Sequence, residues 1–184
     1  RDLLRSGIVR IDRDGDSLSV AETGEVPGRP LNQWALDEHE GTLRIATTVD
    51  PMGATSVNDV YTLDGSLEVQ GSARNMGETE EIYSVRFEGD TAYVVTFRQI
   101  DPFYVLDLSD PETPEITGEL KLPGFSRYLH PLSGDRVLGI GQEDGQVKAT
   151  VFDVSDPESP TVAESRILDA RWSAIARTHH AFLY

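Results

Sequence analysis

The residues with the clearest chemical potential are three aspartates near the start of the chain. Asp12, Asp14 and Asp16 alternate along the segment Asp-Arg-Asp-Gly-Asp. Carboxylates at alternate positions are typical of the first half of a loop that binds calcium through oxygen ligands. The distal glutamate of a complete calcium loop is missing here, and Asp-Gly is itself a hairpin-turn signal. The sequence therefore leaves two interpretations, a calcium site or a plain turn, and otherwise predicts no cofactor.

Histidines are the other potential metal ligands, and there are four: His39, His130, His179 and His180. Adjacent residues of an extended chain point to opposite faces, so His179 and His180 are poorly arranged to hold one ion. The absence of cysteine excludes disulfides, thiolate metal sites and a cysteine nucleophile. The Gly-x-Ser-x-Gly elbow of serine hydrolases is also absent. We therefore predict no catalytic residue.

The charge of the chain limits its partners. The chain has thirty-two acidic and sixteen basic residues, which gives a net charge of −16. Such a surface repels phosphate backbones and argues against a nucleic-acid partner. Only Lys121 and Lys148 are lysines, and an acidic, lysine-poor composition resembles proteins of salt-loving archaea; an ordinary acidic extracellular protein is the alternative. No apolar run is long enough to cross a membrane.

A repeat indicates how these residues are positioned. The ten residues 105–114, Val-Leu-Asp-Leu-Ser-Asp-Pro-Glu-Thr-Pro, recur 46 residues later at 151–160 with seven identities. A period of about 40–50 residues is typical of β-propellers, in which each repeat is a blade of four strands. In the Ser-Asp-Pro-Glu-x-Pro segment, side chains can bond back to the backbone and proline fixes φ. This segment is predicted to be the turn between a blade's third and fourth strands.

Aligning the chain on this repeat predicts an all-β protein of four-stranded antiparallel blades. Arg1 falls in mid-pattern and Tyr184 in an apolar run, which suggests a fragment of a longer protein. Its open strand edges predict self-association. The predicted units are a half blade at 1–24, whole blades at 31–73, 82–120 and 125–167, and a half blade at 172–184. The first strands of these units are predicted at 33–37, 83–87, 127–130 and 173–177.

Four segments carry a family resemblance: 25–34 (EVPGRPLNQW), 90–97 (DTAYVVTF), 124–131 (GFSRYLHP) and 169–173 (DARWS). With these segments the chain resembles the secreted proteins with a C-terminal β-propeller domain distantly related to WD-repeats. It is most similar to their haloarchaeal members. The resemblance implies an exported or surface-anchored protein. The family is one of unknown function, so no catalytic residue is transferred to this chain.

The loops that enter the first strands should gather at one mouth of the propeller, where ligands would bind. The repeat places Asn32, Tyr83, Arg127 and Trp172 near this mouth and Arg74 and Arg98 in adjoining loops. His130 ends a first strand beside the central channel. Arginine and aromatic side chains are favoured at binding hot spots, although blade-to-blade packing is the competing interpretation of Tyr83 and Trp172.

The sequence thus predicts a non-catalytic, exported binding or scaffolding propeller whose partner is a protein, peptide or glycan. One alternative is an extracellular propeller hydrolase that acts on glycan or peptide through channel carboxylates. The other is a structural cell-surface module that self-associates through its blade edges.

Overall fold

The computed structural model describes residues 4–50, 55–98, 101–176, 178, 181 and 182. Within this part of the chain, fourteen strands form one two-stranded sheet and three four-stranded sheets, all antiparallel. The strands are β1 Arg5–Asp14, β2 Ser17–Pro27, β3 Leu36–His39, β4 Thr42–Val49, β5 Val57–Leu63, β6 Val69–Met76, β7 Glu81–Glu88, β8 Thr91–Phe97, β9 Asp101–Asp107, β10 Glu115–Leu122, β11 Phe125–Leu132, β12 Arg136–Glu143, β13 Gln146–Asp153 and β14 Thr161–Ile167.

Every four-stranded sheet is a simple meander, in which each strand pairs with the next one along the chain. We name them blade one (β3–β6), blade two (β7–β10) and blade three (β11–β14), and the β1–β2 sheet the half-blade. The first strands β7 and β11 lie side by side, and the Ser84 hydroxyl donates to the Ser126 carbonyl across 2.9 Å. The predicted fold, four-stranded antiparallel blades of a β-propeller, is confirmed.

Burial follows the position of a strand within its blade. The second and third strands are buried along most of their length, as in β5 and β8. Their valines, threonines and aromatic residues suit a sheet that is covered on both faces. The fourth strand β14 is exposed throughout. The gradient places the apolar core between neighbouring sheets and the fourth strands at the outside.

Three apolar clusters fill the spaces between successive sheets. Val26 of the half-blade packs with Ile45 and Tyr61 of blade one. Ala46 and Val60 of blade one share a second cluster with residues of blade two. Blades two and three are joined by a third cluster that contains three stacked rings. The core is therefore a series of blade-to-blade interfaces, as expected of a repeat fold.

The Ser-Asp-Pro turns have the internal bonds that their sequence predicts. The Asp110 carboxylate accepts hydrogen bonds from the Glu112 N–H and the Thr113 hydroxyl, each across 2.9 Å. In the second copy, the Asp156 carboxylate accepts from the Glu158 N–H. The bonds to the ionised form lower the pKa of Asp110. The predicted role of the segment as a hairpin turn is confirmed.

Each of these two turns packs on a glycine in the fourth strand of the preceding blade. A Cβ at Gly71 would lie 2.5 Å from the Pro111 carbonyl oxygen, and a Cβ at Gly118 would lie 2.1 Å from that of Pro157. Real Cβ atoms do not approach an oxygen so closely. The turn thus closes a hairpin and also docks one blade on another.

The prediction of a first strand at 173–177 is wrong for the residues that the structure describes. Ala174–Ala176 form a short 3-10 helix, and the Ser173 hydroxyl accepts from the Ile175 N–H at 3.4 Å. Gln33–Ala35, at the start of the predicted strand 33–37, also form a 3-10 helix, and β3 begins only at Leu36. In both places a polar side chain caps the helix and competes with the extended conformation.

The half-blade has one uncovered apolar face. Ile11 pairs with Val20 across β1 and β2, and these two side chains lie on the same face as Val9 and Leu18 because side chains alternate along a strand. All four are more than half exposed. Ile8, on the opposite face, packs against blade one. The outer face of the half-blade therefore has the character of a blade interface without a neighbouring blade in the described part of the chain.

Candidate functional site

A cleft of about 420 Å³ opens where blade two meets blade three. It lies at the end of the blades where the second strands end and the first strands begin, which we call the upper face. Phe97, at the end of β8, forms one side of the cleft. The connection from β10 to β11 and the turn from β12 to β13 form the rest, with residues 121–125 and 142–145. This is the face on which the sequence predicts ligand binding.

The two loops of the cleft are fastened to each other by Lys148. The residue is only 8% exposed. Its ammonium donates to the Pro123 carbonyl at 2.8 Å and pairs with the Glu143 carboxylate at 2.6 Å. Gly124 adopts a φ of 84°, and a Cβ there would meet the Gln142 carbonyl at 2.4 Å. The cleft is therefore preformed, so that binding would require little ordering of its loops.

Two aromatic rings, Phe97 and Phe125, line the cleft, and a third, Tyr83, packs against both. Phe125 lies 4.7 Å from Phe97 and 5.2 Å from Tyr83, measured between ring centroids, and Tyr83 lies 5.2 Å from Phe97. We call these three residues the aromatic cluster. All three are half-buried, and Tyr83 also packs against the core between blades two and three. Packing and ligand contact are therefore compatible in this cluster.

Arg127 packs against the aromatic cluster, next to the residues that line the cleft. Its guanidinium carbon lies 5.1 Å from the centroid of the Tyr83 ring and 5.1 Å from that of Phe125. The residue is exposed, and it lines a small pocket with Gln142 and Ser173. A guanidinium held against aromatic rings can still bind a planar anion through its N–H groups. The structure thus brings together two of the residues predicted for the mouth, Tyr83 and Arg127.

The other predicted mouth residues lie at the upper face without joining this group. The Asn32 side chain caps the first 3-10 helix by accepting from the Trp34 N–H at 2.9 Å. Arg74 lies within β6, not in a loop as predicted, with its guanidinium 5.4 Å from the Tyr61 ring. Arg98 follows Phe97 and is exposed, and Trp172 is 59% exposed. No further role follows from these contacts.

The aspartates proposed for calcium lie at the opposite end of the blades, around the turn from β1 to β2. Asp12 is 3.7 Å from the Arg10 guanidinium. Among the residues that the structure describes, no three histidine or acidic side chains are placed to hold one ion. This geometry gives the calcium interpretation of Asp12, Asp14 and Asp16 no support. His179 and His180 lie outside the described residues.

Sequence reasoning missed three residues of the site, Phe97, Phe125 and Gln142. Phe97 ends β8, the second strand of blade two, and its sequence context does not mark it as a binding residue. Phe125 and Gln142 face each other across β11 and β12. A signal was present, since Phe125 follows Gly124 in a connection between blades. Glycine there permits the close approach of the connection to β12, which carries Gln142.

The chain matches a known protein family over nearly its whole length. A family model described as beta propeller domain matches residues 4–184. The chain belongs to this family. Two archaeal relatives are described as uncharacterized proteins. That of Archaeoglobus fulgidus is 54% identical over 166 residues, which cover 90% of this chain and 26% of the relative. That of Methanocaldococcus jannaschii is 41% identical over 182 residues, 97% of this chain and 29% of the relative.

The propeller chain thus spans less than a third of the length of these two relatives. Among solved structures, it is similar to a neuraminidase-like protein of A/little yellow-shouldered bat/Guatemala. The TM-score is 0.43 at 11% identity, covering 90% of this chain and 65% of that chain. In the part of the propeller that the structure describes, no helix has the length and apolar character needed to span a membrane.

The first strands of the propeller carry three polar residues at equivalent positions. Asp37, Arg86 and His130 each lie two residues before the pair that closes the hairpin to the second strand. Asp37 forms an ion pair with the nearly buried Arg44. Together they offer one carboxylate, one guanidinium and one imidazole. Glycoside hydrolysis by acid and base uses two carboxyl groups, so this arrangement does not favour the hydrolase alternative.

His130 contacts its neighbours rather than opening on the upper face. Its Nδ1 lies 3.2 Å from the Tyr128 hydroxyl, and its ring centroid lies 4.8 Å from that of Phe182. Burial, and next the charge of Arg86, lower the pKa of His130 below its ordinary value. The lowered pKa favours the neutral imidazole, which suits a packed structural side chain.

Proposed function

We propose that this chain is a non-catalytic binding module and that the cleft at the upper face binds a glycan. One observation carries the proposal: the aromatic cluster borders a preformed cleft that also presents carboxylate, amide and backbone polar groups. A sugar ring has an apolar C–H face that packs on aromatic rings and hydroxyl groups that bond to such polar groups. Pockets of this kind, with apolar walls and a few fixed polar groups, are typical of small-ligand sites.

The glycan is favoured over the protein and peptide alternatives by the polar residues of the cleft. Asp144 and Gly145 form the two-residue turn between β12 and β13, with φ values of 49° and 75°. Asp144, on this turn, and Gln142, near the end of β12, both line the cleft. Closely spaced acceptors and donors next to rings match a hydroxylated ring better than an extended backbone.

Export, a surface location and a salt-loving source stay predictions that accompany this proposal. They are supported by the resemblance to secreted propellers and by the net charge of −16 with only two lysines. Dense carboxylates keep a protein surface hydrated when salt screens charge repulsion. An exported module would meet extracellular or envelope glycans.

We expect Asp144→Asn and Phe125→Leu each to weaken binding of a glycan ligand at least about tenfold, which corresponds to about 1.4 kcal/mol. Asp144→Asn removes a charged acceptor on an exposed turn, and asparagine tolerates positive φ. Phe125→Leu keeps an apolar side chain of similar position but removes the ring. The measurement is a screen of an oligosaccharide panel followed by isothermal titration calorimetry of each ligand found.

Trp172→Ala is the matched control, because Trp172 is an exposed aromatic residue of the upper face outside the aromatic cluster. It should leave the affinity unchanged. Circular dichroism spectra and melting curves establish that every variant is folded. A panel without any binder, or equal losses in the control and the cleft variants, would contradict the proposal.

Self-association is the second candidate, favoured by the uncovered outer face of the half-blade. Ile11 is 59% and Val20 64% exposed, and β1 pairs only with β2 in the described sheets. Exposed apolar strands with a free edge are prone to pair with another chain. We expect the mass from sedimentation equilibrium to rise with concentration, and Val20→Lys to restore the monomer.

Leu31→Lys is the matched control for that experiment, because Leu31 is 45% exposed but lies outside the half-blade. It should associate as the unsubstituted chain does. A monomer at all concentrations of the unsubstituted chain would eliminate this candidate.

A further inference from the structure

Some basic residues of this acidic chain form ion pairs with carboxylates, and others do not. Among the described residues, eight form ion pairs with carboxylates. Six arginines do not, although acidic residues outnumber basic ones twofold. The six are Arg13, Arg74, Arg86, Arg98, Arg127 and Arg171.

Four of these six arginines lie at the upper face. Arg74 is near the end of β6, Arg98 directly follows β8, Arg127 is near the start of β11, and Arg171 follows β14. In a chain with so many carboxylates, an arginine without a carboxylate partner is unexpected. Their concentration at one end provides positive charges at the upper face that can attract an anion.

Arg127 is the arginine of this set that lies against the aromatic cluster. The rings of Tyr83 and Phe125 lie at equal distance from its guanidinium carbon, 5.1 Å. These contacts restrain the guanidinium, and within the described part of the chain its N–H groups form no hydrogen bond or ion pair. Fixed, planar donors of this kind bind carboxylate or sulfate oxygens in a bidentate manner.

The position of Arg127 connects it to the proposed glycan cleft. Gln142 lines both the cleft and the small pocket of Arg127. The Gln142 amide donates to the Arg171 backbone carbonyl at 3.1 Å, which positions the Gln142 side chain between the cleft and this pocket. A sugar seated against the aromatic cluster would therefore have an anionic substituent within reach of Arg127.

We infer that the cleft selects an acidic saccharide, whose carboxylate or sulfate group binds Arg127. This inference rests on the proposed glycan-binding function and adds the chemical class of its ligand. The overall charge of −16 repels polyanions at long range, but repulsion beyond about 8 Å is screened at 0.15 M salt. Selection then depends on the local contact, which screening affects much less.

The test is calorimetric titration at 0.15 M salt with three trisaccharide probes: trigalacturonate, its uncharged methyl ester and a sulfated galactose trisaccharide. The unsubstituted chain should bind at least one of the anionic probes at least about tenfold more tightly than the methyl ester. Arg127→Gln should reduce this ratio to about one. Arg127→Lys keeps the charge but not the planar donors and should lose most of the ratio.

Arg13→Gln is the matched control, since Arg13 is another exposed arginine without a carboxylate partner but lies at the opposite end of the blades. It should keep the full ratio. Tighter binding of trigalacturonate identifies a carboxylate ligand, and tighter binding of the sulfated probe a sulfate ester.

Two results would overturn the inference, and they are distinguishable. If the methyl ester binds as tightly as both anionic probes, the glycan cleft stands and the selection of an acidic sugar by Arg127 is wrong. If none of the three probes nor any neutral oligosaccharide of the panel binds, the glycan function fails, and the inference fails with it. An Arg127→Gln variant with an unchanged ratio would also contradict the role of this residue.

Discussion

Phe152→Ala is expected to lower the free energy of unfolding by about 3–5 kcal/mol. Phe152 is fully buried, and its ring stacks on Phe103 with centroids 4.1 Å apart and planes 5° from parallel. Phe103 in turn stacks on Tyr93 at 5.8 Å. Because Phe152 belongs to blade three and the other two rings to blade two, truncation opens a cavity in the interface between the blades. Urea unfolding followed by circular dichroism measures the loss.

Phe152→Leu separates ring stacking from burial. It retains most of the apolar volume and should cost less than Phe152→Ala; the remaining loss includes the stacking contribution, about 0.5–1.5 kcal/mol for aromatic pairs. Val162→Ala is the control outside the interface, because Val162 faces Phe152 across β13 and β14 but is 41% exposed. If Phe152→Ala and Val162→Ala cost the same small amount, the two blades would not depend on this stack.

The repeat predicted the fold because the features that define a blade are local in sequence. The Ser-Asp-Pro turn at 109–114 is closed by its own side chains, so its recurrence at 155–160 locates the third and fourth strands of two blades. The strands themselves follow from short apolar runs between turns. The 3-10 helices at 33–35 and 174–176 were missed, since the caps that favour them, Asn32 and Ser173, also fit a turn before a strand.

The candidate site was predictable only in part, because its parts come from different blades. Position in the repeat placed Tyr83 and Arg127 at one mouth, and the structure brings them into contact. Phe97 and Phe125 belong to adjacent blades, and no pattern within either repeat indicates that their rings meet. Contacts between blades depend on how closely two sheets approach. That distance is controlled by small residues, and their role cannot be predicted from sequence without knowing which surface packs on them.

Gly118 is such a residue, and Gly118→Ala is expected to lower the free energy of unfolding by about 1–3 kcal/mol. The added Cβ would lie 2.1 Å from the Pro157 carbonyl and 2.7 Å from the Pro160 ring. Neither is a flexible side-chain end that can move aside, so the 155–160 turn of blade three must shift away from blade two. In an open strand the same change would stabilise slightly, since glycine is a poor strand residue. Urea unfolding of the two proteins measures the sign and size of the difference.

The repeat supplies its own control at Glu164. Gly118 follows a bulge in β10, and Glu164 occupies the corresponding place after a bulge in β14. Glu164 is exposed and pairs with Arg166 at 3.6 Å; in the described part of the chain no turn of a further blade packs there. Glu164→Ala should therefore change stability by no more than about 0.5 kcal/mol. Equal effects at the two positions would mean that the Ser-Asp-Pro turn does not dock one blade on the next. If stability is lost only at Gly118, a glycine at this position of the fourth strand indicates that the turn of the following blade packs on it.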